Sequence, residues 1–247
     1  MGNRIFPIFG KKHQYIPLES TKLKGAIYYI VGGHGGPDPG AIGWQGKYKL
    51  CEDEYAYDVA LRLARQLIAH GATVYIIVRD PNDGIRSNKY LGCDKDEYCW
   101  GNLKIPLNQK ERLTQRSSAV NELYEKNKKR GVTYQRLIMI HVDSRSKTER
   151  TDLFFYYYDD DSGESMAKTL QNTIKQKYNT YQKNRGYYGT VTSRDLHMLR
   201  ETEVPSTYIE LGNIKNQADQ KRIVLEVNRQ ALAKWLMEGL MMDHRKN

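Results

Sequence analysis

Short apolar segments alternate along the chain with longer segments that have helical periodicity. Residues 26–31 form a continuous apolar run with the length of a buried strand. Over residues 52–70, apolar residues recur every three or four positions and Gly71 follows, which predicts an amphipathic helix. The same reasoning predicts further strands at 73–78, 136–140, 153–158 and 207–209, and helices at 107–129, 162–178 and 218–241.

This order of elements predicts one α/β domain, since strands that alternate with helices are typical of a largely parallel sheet. We predict a twisted, mostly parallel sheet with helices on both faces over residues 25–247, preceded by an irregular basic lead-in over residues 1–24. Residues 80–106 are rich in Pro, Asn, Asp and Gly and are too long for a simple connection. We therefore expect this segment to be a functional surface that gates a cleft or shapes substrate choice.

Composition narrows the class of protein. Of 247 residues, 39% are hydrophobic and 28% are charged, as in ordinary folded proteins. The net charge of +10 favours an acidic or polyanionic partner such as nucleic acid, anionic lipid or an acid-bearing wall polymer. No run approaches the roughly 20 apolar residues of a membrane span. The first residues contain no apolar stretch of signal-peptide length, which fits a cytoplasmic protein or a chain whose leader has been removed.

Three residues with catalytic potential follow predicted strands. His34 lies in a glycine-rich loop after the first strand, His141 comes directly after the strand at 136–140, and Glu210 follows the strand at 207–209. In open parallel sheets, ligands bind beyond the carboxyl ends of the strands. The sequence therefore predicts that these three side chains lie along one edge of the sheet.

Two histidines and a carboxylate are a typical zinc ligand set, with the fourth position left for water. His34 and His141 are the predicted imidazole ligands. The start of the helix at 52 offers three acids, of which Glu52 lies roughly 50° and Glu54 roughly 150° from the centre of the apolar stripe. Glu52 is the better candidate for a ligand that points toward the sheet edge. Alternatively, all three acids only stabilise the positive end of the helix dipole.

Glu210 is predicted to have a separate role. A carboxylate at a strand end near a metal can take a proton from water and pass it to a leaving nitrogen. The alternative is that Glu210 is an acid at the entry of a helix and has no catalytic role.

Two of the three cysteines, Cys93 and Cys99, lie in the polar loop and are candidates for a disulfide, while reduced surface thiols are the alternative.

Five motifs in order resemble the zinc-dependent N-acetylmuramoyl-L-alanine amidases, the type-3 amidase family. The resemblance covers about residues 25–240. Its motifs are Gly33-His34-Gly35-Gly36-Pro37-Asp38-Pro39-Gly40-Ala41-Ile42-Gly43, Glu52 with Val59-Ala60 and Leu63, Leu113-x-x-Arg116 with Asn121, Ile140-His141-Val142-Asp143, and Leu199-Arg200 followed by Pro205 and Tyr208-Ile209-Glu210-Leu211-Gly212-Asn213-Ile214-x-Asn216.

The resemblance implies one Zn²⁺ per chain, held by His34, Glu52 and His141, with Glu210 as the general base. It implies hydrolysis of the amide between N-acetylmuramic acid and the L-alanine of the stem peptide. Peptidoglycan is then the partner, and neither nucleic acid as a partner nor a membrane span is expected. The location is the periplasm or the extracellular cell envelope, with a leader removed. Whether a protein activates the enzyme is left open.

Two departures from the family pattern leave alternatives open. The spacing between His34 and Glu52 is a few residues longer than is typical, which keeps Glu54 as an alternative ligand. His141 is followed by Val-Asp-Ser, where the family usually has small residues and Asn. The competing functions are another zinc amide hydrolase or carboxypeptidase, and a catalytically inactive or regulatory domain that binds the cell wall. A nucleic-acid binder is favoured only by the charge and the aromatic residues.

Overall fold

A six-stranded sheet organises residues 4–247, the part of the chain that the computed structural model describes. In chain order the strands are β1 Ile27–Gly32, β2 Ile42–Gln45, β3 Tyr48–Cys51, β4 Thr73–Ile76, β5 Val78–Arg79, β6 Tyr98–Cys99, β7 Leu103–Lys104, β8 Gln135–Asp143, β9 Phe154–Tyr157, β10 Val191–Ser193 and β11 Ser206–Asn213. The central sheet has the order β10-β9-β11-β8-β1-β4. Four of its six strands, β11, β8, β1 and β4, run parallel to one another. Strand β9 is antiparallel to β11, and β10 is parallel to β9.

Helices cover both faces of this sheet, which confirms the predicted α/β fold. The helices are α1 Glu52–Ala69, α2 Gln109–Lys128, α3 Asp161–Tyr181, α4 His197–Arg200, α5 Gln217–Val224 and α6 Glu226–Lys246. Alternate side chains of β1 enter different cores, since successive residues of a strand point to opposite faces. Tyr28 and Ile30 pack with α1, α3 and α6, while Tyr29 and Val31 pack with α2 and α4.

The prediction of one closing helix at 218–241 was wrong, because the chain forms two helices there, α5 and α6, with a break at Leu225. That residue has an extended backbone, with φ of −88° and ψ of 119°, between α5 and α6. The buried Arg229 side chain donates hydrogen bonds from Nη1 to the carbonyls of Ile223 and Val224 at 2.6 and 3.1 Å. These contacts satisfy carbonyls that the end of α5 leaves without helical partners.

The segment at 80–106 is tied to the rest of the molecule by a disulfide between Cys51 and Cys93. The pairing of Cys93 with Cys99 that the sequence suggested is therefore wrong. Cys99 is a buried free thiol in β6, where it packs into the core on the α2 face of the sheet. The loop also contains β6 and β7, which form a small antiparallel sheet with β5.

The lead-in packs on the domain over the residues that can be described. Pro7–Phe9 forms a 3-10 turn, and Phe9, Ile16 and Leu23 are buried in the larger core. Residues 1–3 of the predicted lead-in lie outside the described residues, and the division at residue 24 stays a prediction. Across residues 4–247, none of the helices combines the length and the apolar character that a membrane crossing requires.

Candidate metal centre

Two neighbouring parallel strands of the sheet, β1 and β8, bring His34 and His141 together. His34 lies two residues beyond β1 and has a left-handed backbone with φ of 64°. The Gly33 N–H donates to the carbonyl of Ile140 at 2.8 Å, which joins the loop to β8. The strand predicted to end at 140 continues to Asp143, so His141 lies within β8. The two imidazole rings meet edge to face with centroids 5.0 Å apart.

Glu52 completes a group of three potential metal ligands. One oxygen of Glu52, Oε1, lies 2.9 Å from Nδ1 of His141 and 3.2 Å from Nε2 of His34. One ligand atom from each of the three residues lies within 4.8 Å of the others. Two imidazoles and a carboxylate are a donor set that suits zinc in a hydrolase.

The backbone fixes the direction of the Glu52 carboxylate. Glu52 is the first residue of α1, directly after β3, and its own N–H donates to the carbonyl of Ala41 at 3.0 Å. Its Oε2 accepts a hydrogen bond from the N–H of Ala41 at 2.8 Å, and its Oε1 accepts one from the N–H of Val142 at 3.0 Å. The backbone amides of Ala41 and Val142 therefore fix the orientation of the Glu52 carboxylate without a metal.

Glu54 lies elsewhere, although the sequence left it open as the carboxylate ligand. Its Oε2 is 2.8 Å from Nη1 of Arg86, and its Oε1 accepts a hydrogen bond from the N–H of Asp94 at 2.9 Å. This difference agrees with the positions of Glu52 and Glu54 relative to the apolar stripe of the helix. The structure brings Glu52, and not Glu54, into contact with His34 and His141.

Two glycines leave the space that the three side chains occupy. A Cβ at Gly33 would overlap the ring of His141. Gly40 has φ of +66°, and a Cβ there would lie 2.6 Å from Oε2 of Glu52. Glycine is therefore required at these two positions because the histidines and the glutamate pack closely against the backbone. At Gly40 the positive φ also favours glycine.

Further residues orient His34 and His141 from behind. Oδ2 of Asp38 lies 3.0 Å from Nδ1 of His34 and also accepts a hydrogen bond from Arg112 Nη2 at 3.0 Å. Arg116 donates to the carbonyl of His34 at 2.8 Å. The ring of Tyr208 stacks on His141 with centroids 4.1 Å apart. Such outer contacts fix the tautomer and the ring orientation of metal-binding histidines.

Sequence reasoning assigned no role to Asp38 and Arg112. The signal for Asp38 was its position in the glycine-rich motif, four residues after His34. Nothing in the local sequence marks Arg112, which reaches Asp38 only because α2 packs over the end of β1. The motif Leu113-x-x-Arg116 did mark the helix that supplies both arginines.

Hydrogen bonding and burial shift the pKa values at this centre in different directions. Burial lowers the pKa of His141 to about 4, which favours the neutral imidazole that a metal requires. Burial opposes the charge on His34, but hydrogen bonds with Asp38 and Glu52 raise its pKa to about 10. Burial also opposes the charge on Glu52, yet hydrogen bonds from the two histidines hold its pKa below the usual range. A carboxylate that stays charged beside the neutral imidazole of His141 is suited to hold a cation.

Glu210 lies beside this group, on β11. Its Cα pairs in register with that of His141 on β8, and the residue is 9% exposed. Its Oε2 is buried without a hydrogen-bond partner among the described residues. Burial, together with repulsion from Glu52 and Asp143, raises the pKa of Glu210 well above its usual value. A carboxyl group with an uncommitted oxygen in this position is able to exchange a proton with a reacting group.

A cavity of about 200 Å³ opens at the same edge of the sheet. Its walls include His34, His141 and Tyr208 from the strand ends, and Arg112 and Leu196 from the α2 and α4 region. The cavity is thus lined by apolar and aromatic groups together with polar ones, which besides the two histidines include Asp38, Arg116 and His197. This composition is typical of a site that binds a small part of a larger substrate.

Comparisons with known proteins agree with this picture. The sequence profile of the family described as N-acetylmuramoyl-L-alanine amidase matches residues 29–241. The probable cell wall amidase LytH of Staphylococcus aureus is 26% identical over 222 residues, which are 90% of this chain and 60% of that relative. The chain thus spans 60% of the length of the curated relative it matches.

Solved amidase structures share the fold. The amidase AmiC2 of Nostoc punctiforme has a TM-score of 0.62 at 22% identity, covering 90% of this chain and 98% of that chain. The amidase Ami1 from Mycobacterium smegmatis has a TM-score of 0.64 at 19% identity, covering 91% and 99%. The CwlD amidase from Clostridioides difficile, solved in complex with the GerS lipoprotein, has a TM-score of 0.64 at 18% identity, covering 90% and 100%. By the family profile over residues 29–241, the chain belongs to the N-acetylmuramoyl-L-alanine amidases.

Proposed function

We propose that this protein is a zinc-dependent peptidoglycan hydrolase. It cleaves the amide between the lactyl group of N-acetylmuramic acid and the L-alanine of the stem peptide. The observation that carries the proposal is the contact of one Glu52 oxygen with both His34 and His141, at the edge of the sheet where β1 and β8 end. One Zn²⁺ per chain would be held by these three side chains.

The bound metal would polarise the substrate carbonyl and make water a better nucleophile. The other steps belong to the protein. Glu210 takes the proton from the attacking water and delivers it to the leaving nitrogen of L-alanine. Asp38 holds the proton of His34 Nδ1, so that Nε2 faces Glu52 and the centre. The stack of Tyr208 on His141 keeps water away from one face of that ring.

The location that we propose is the cell envelope, periplasmic or extracellular, where peptidoglycan lies. The disulfide between Cys51 and Cys93 supports this, because such bonds persist in oxidising compartments. The net charge of +10 also suits a cell wall that carries acidic polymers and stem-peptide carboxylates.

The proposal is tested by two measurements on the purified protein. Metal content is determined by elemental analysis, and release of free stem peptide from purified peptidoglycan is followed by mass spectrometry, with and without a chelator. We expect one zinc per chain and peptide release that stops on chelation and returns with added Zn²⁺. Zinc with release of a single terminal amino acid instead would identify a carboxypeptidase. Absence of both zinc and release would leave a wall-binding domain.

A further inference from the structure

A second cluster of carboxylates is buried where the start of α1 meets the 80–106 segment. Asp53, Glu54 and Glu97 are 3%, 1% and 7% exposed, and one oxygen from each lies within 4.8 Å of the others. Through Glu97 the cluster continues to Asp94 and Asp96, which lie within the same distance of it and of each other. Asp94 and Asp96 are not buried, whereas three adjacent buried acids are unusual in a chain with a net charge of +10.

One oxygen in this cluster has no partner. Oδ1 of Asp53 accepts a hydrogen bond from the N–H of Glu54 at 3.0 Å. Oδ2 of Asp53 is fully buried and has no hydrogen-bond partner within residues 4–247. Buried carboxylate oxygens are normally hydrogen-bonded, ion-paired or bound to a metal, since an uncompensated one is costly. The orphaned oxygen therefore points to a ligand.

The nearby cation does not compensate this charge. Arg86 pairs with Glu54 and with Asp83. Among the described residues, Asp53 and Glu97 form no ion pair, and Glu97 Oε2 accepts a hydrogen bond from the N–H of Gly36 at 2.6 Å. Two of the three carboxyl groups in the cluster therefore have no cation beside them within residues 4–247.

We propose that this cluster binds one Ca²⁺ through Asp53, Glu54 and Glu97. The donors are all oxygen, with neither the histidine nor the thiolate that zinc or copper would favour. Ca²⁺ takes oxygens at 2.3–2.6 Å, so two oxygens on opposite sides of the ion lie about 4.6–5.2 Å apart. The three oxygens lie within 4.8 Å of one another, so one ion can contact all three. Mg²⁺ is usually held by one or two carboxylates and several waters, whereas a site built from several carboxylates suits Ca²⁺. Asp94 and water complete the shell.

The site would join the two segments that supply His34 and Glu52. Asp53 and Glu54 follow Glu52 directly on α1, and Gly36, which donates to Glu97, lies two residues after His34. The disulfide from Cys51 to Cys93 ends beside the same cluster. Bound Ca²⁺ would hold the 80–106 segment against the helix start and stabilise both. This inference does not depend on the amidase activity.

The test uses the zinc-loaded full chain. CaCl₂ is titrated by calorimetry and thermal unfolding is followed with and without Ca²⁺, for the wild type and for Asp53→Asn and Glu97→Gln. The matched control is Asp161→Asn, an exposed acid at the start of α3. We expect one Ca²⁺ per chain and a higher Tm, with affinity at least about tenfold weaker in both cluster variants and unchanged in the control.

Two results would overturn the proposed site, and a third would overturn the choice of ion. The first is no heat and no change in Tm up to about 5 mM Ca²⁺, a concentration above the range of extracellular calcium modules. The second is equal affinity for Ca²⁺ in the wild type and in a folded Glu97→Gln variant, even if Asp53→Asn fails to fold. Binding of Mg²⁺ as tight as that of Ca²⁺ would contradict the choice of ion.

Discussion

At the scale of single residues, the metal centre depends on the direction of one carboxylate. Glu52 and Glu54 are two positions apart on α1, and their side chains contact different parts of the molecule. The sequence separated them because two positions on a helix differ by about 200°. It could not identify Arg112 as the partner of Asp38, which in turn contacts His34, since a loop and a helix that meet only in the folded chain supply the two side chains.

The two glutamates provide a matched pair for the metal site. Replacing Glu52 with Gln removes a ligand charge, so we expect zinc affinity to fall by at least about 10-fold to 100-fold. Glu54→Gln removes the same charge two residues away and, in Ca²⁺-free buffer, should leave zinc affinity within about twofold of the wild type. Affinity is measured by competition with a chromogenic chelator. Loss of zinc in the Glu54 variant, with retention in the Glu52 variant, would reverse the assignment.

A substitution at Glu210 should separate the effect on metal binding from the effect on catalysis. Glu210→Gln keeps the size of the side chain but removes the proton acceptor, so we expect zinc content to stay at the wild-type level. The rate of stem-peptide release should fall by about 10²- to 10⁴-fold, the usual contribution of a general base. Zinc analysis and turnover on purified peptidoglycan measure the two effects. A variant with full activity would exclude Glu210 from the mechanism, and His34→Ala, which should lose the zinc, is the comparison.

At the scale of elements, hydrophobic periodicity located most helices and strands but not the joint between α5 and α6. A pattern of apolar residues continues through Leu225 and shows nothing of the break. The break is stabilised by Arg229, whose Nε lies 2.6 Å from Oδ2 of Asp58 on α1. The antiparallel direction of β9 was missed for the same reason, because it depends on pairing with the distant strand β11. The hairpin of β2 and β3 is local, and it was missed although only residues 46 and 47 separate its strands.

Arg229 should therefore contribute strongly to stability. Both Arg229 and Asp58 are fully buried, and Arg62 also pairs with Asp58 at 2.7 Å. Arg229→Met removes one of these two cations and the hydrogen bonds to the end of α5, so we expect the free energy of unfolding to fall by about 3 kcal/mol. Urea denaturation measures the change. The exposed Arg245→Met, on the same helix, should change it by less than about 0.5 kcal/mol. Equal effects would show that the joint is not stabilised by Arg229.

At the scale of the whole molecule, the site lies where the chain repeatedly returns to one edge of the sheet. Parallel strands β1, β8 and β11 end side by side, and this topology was predictable from alternating strand and helix patterns. The positions of His34, His141 and Glu210 followed from it. The partner of Cys93 did not, because the 80–106 segment has no periodicity that places it against β3 and the start of α1.

The disulfide is the covalent link between that segment and the end of β3, directly before Glu52. It closes a loop with a sequence separation of 42 residues, so reduction or Cys93→Ser should lower the free energy of unfolding by about 2–4 kcal/mol. The main cause is the larger entropy of the unfolded chain, and the packing of the free thiol Cys99 should not change. Urea denaturation with and without a reductant measures the effect. The wild type should lose stability in the reductant, whereas Cys93→Ser should start at the lower value and not respond. If both proteins lost the same stability in the reductant, the reductant would act through something other than the Cys51–Cys93 disulfide. The 80–106 segment would then be held by its non-covalent contacts alone.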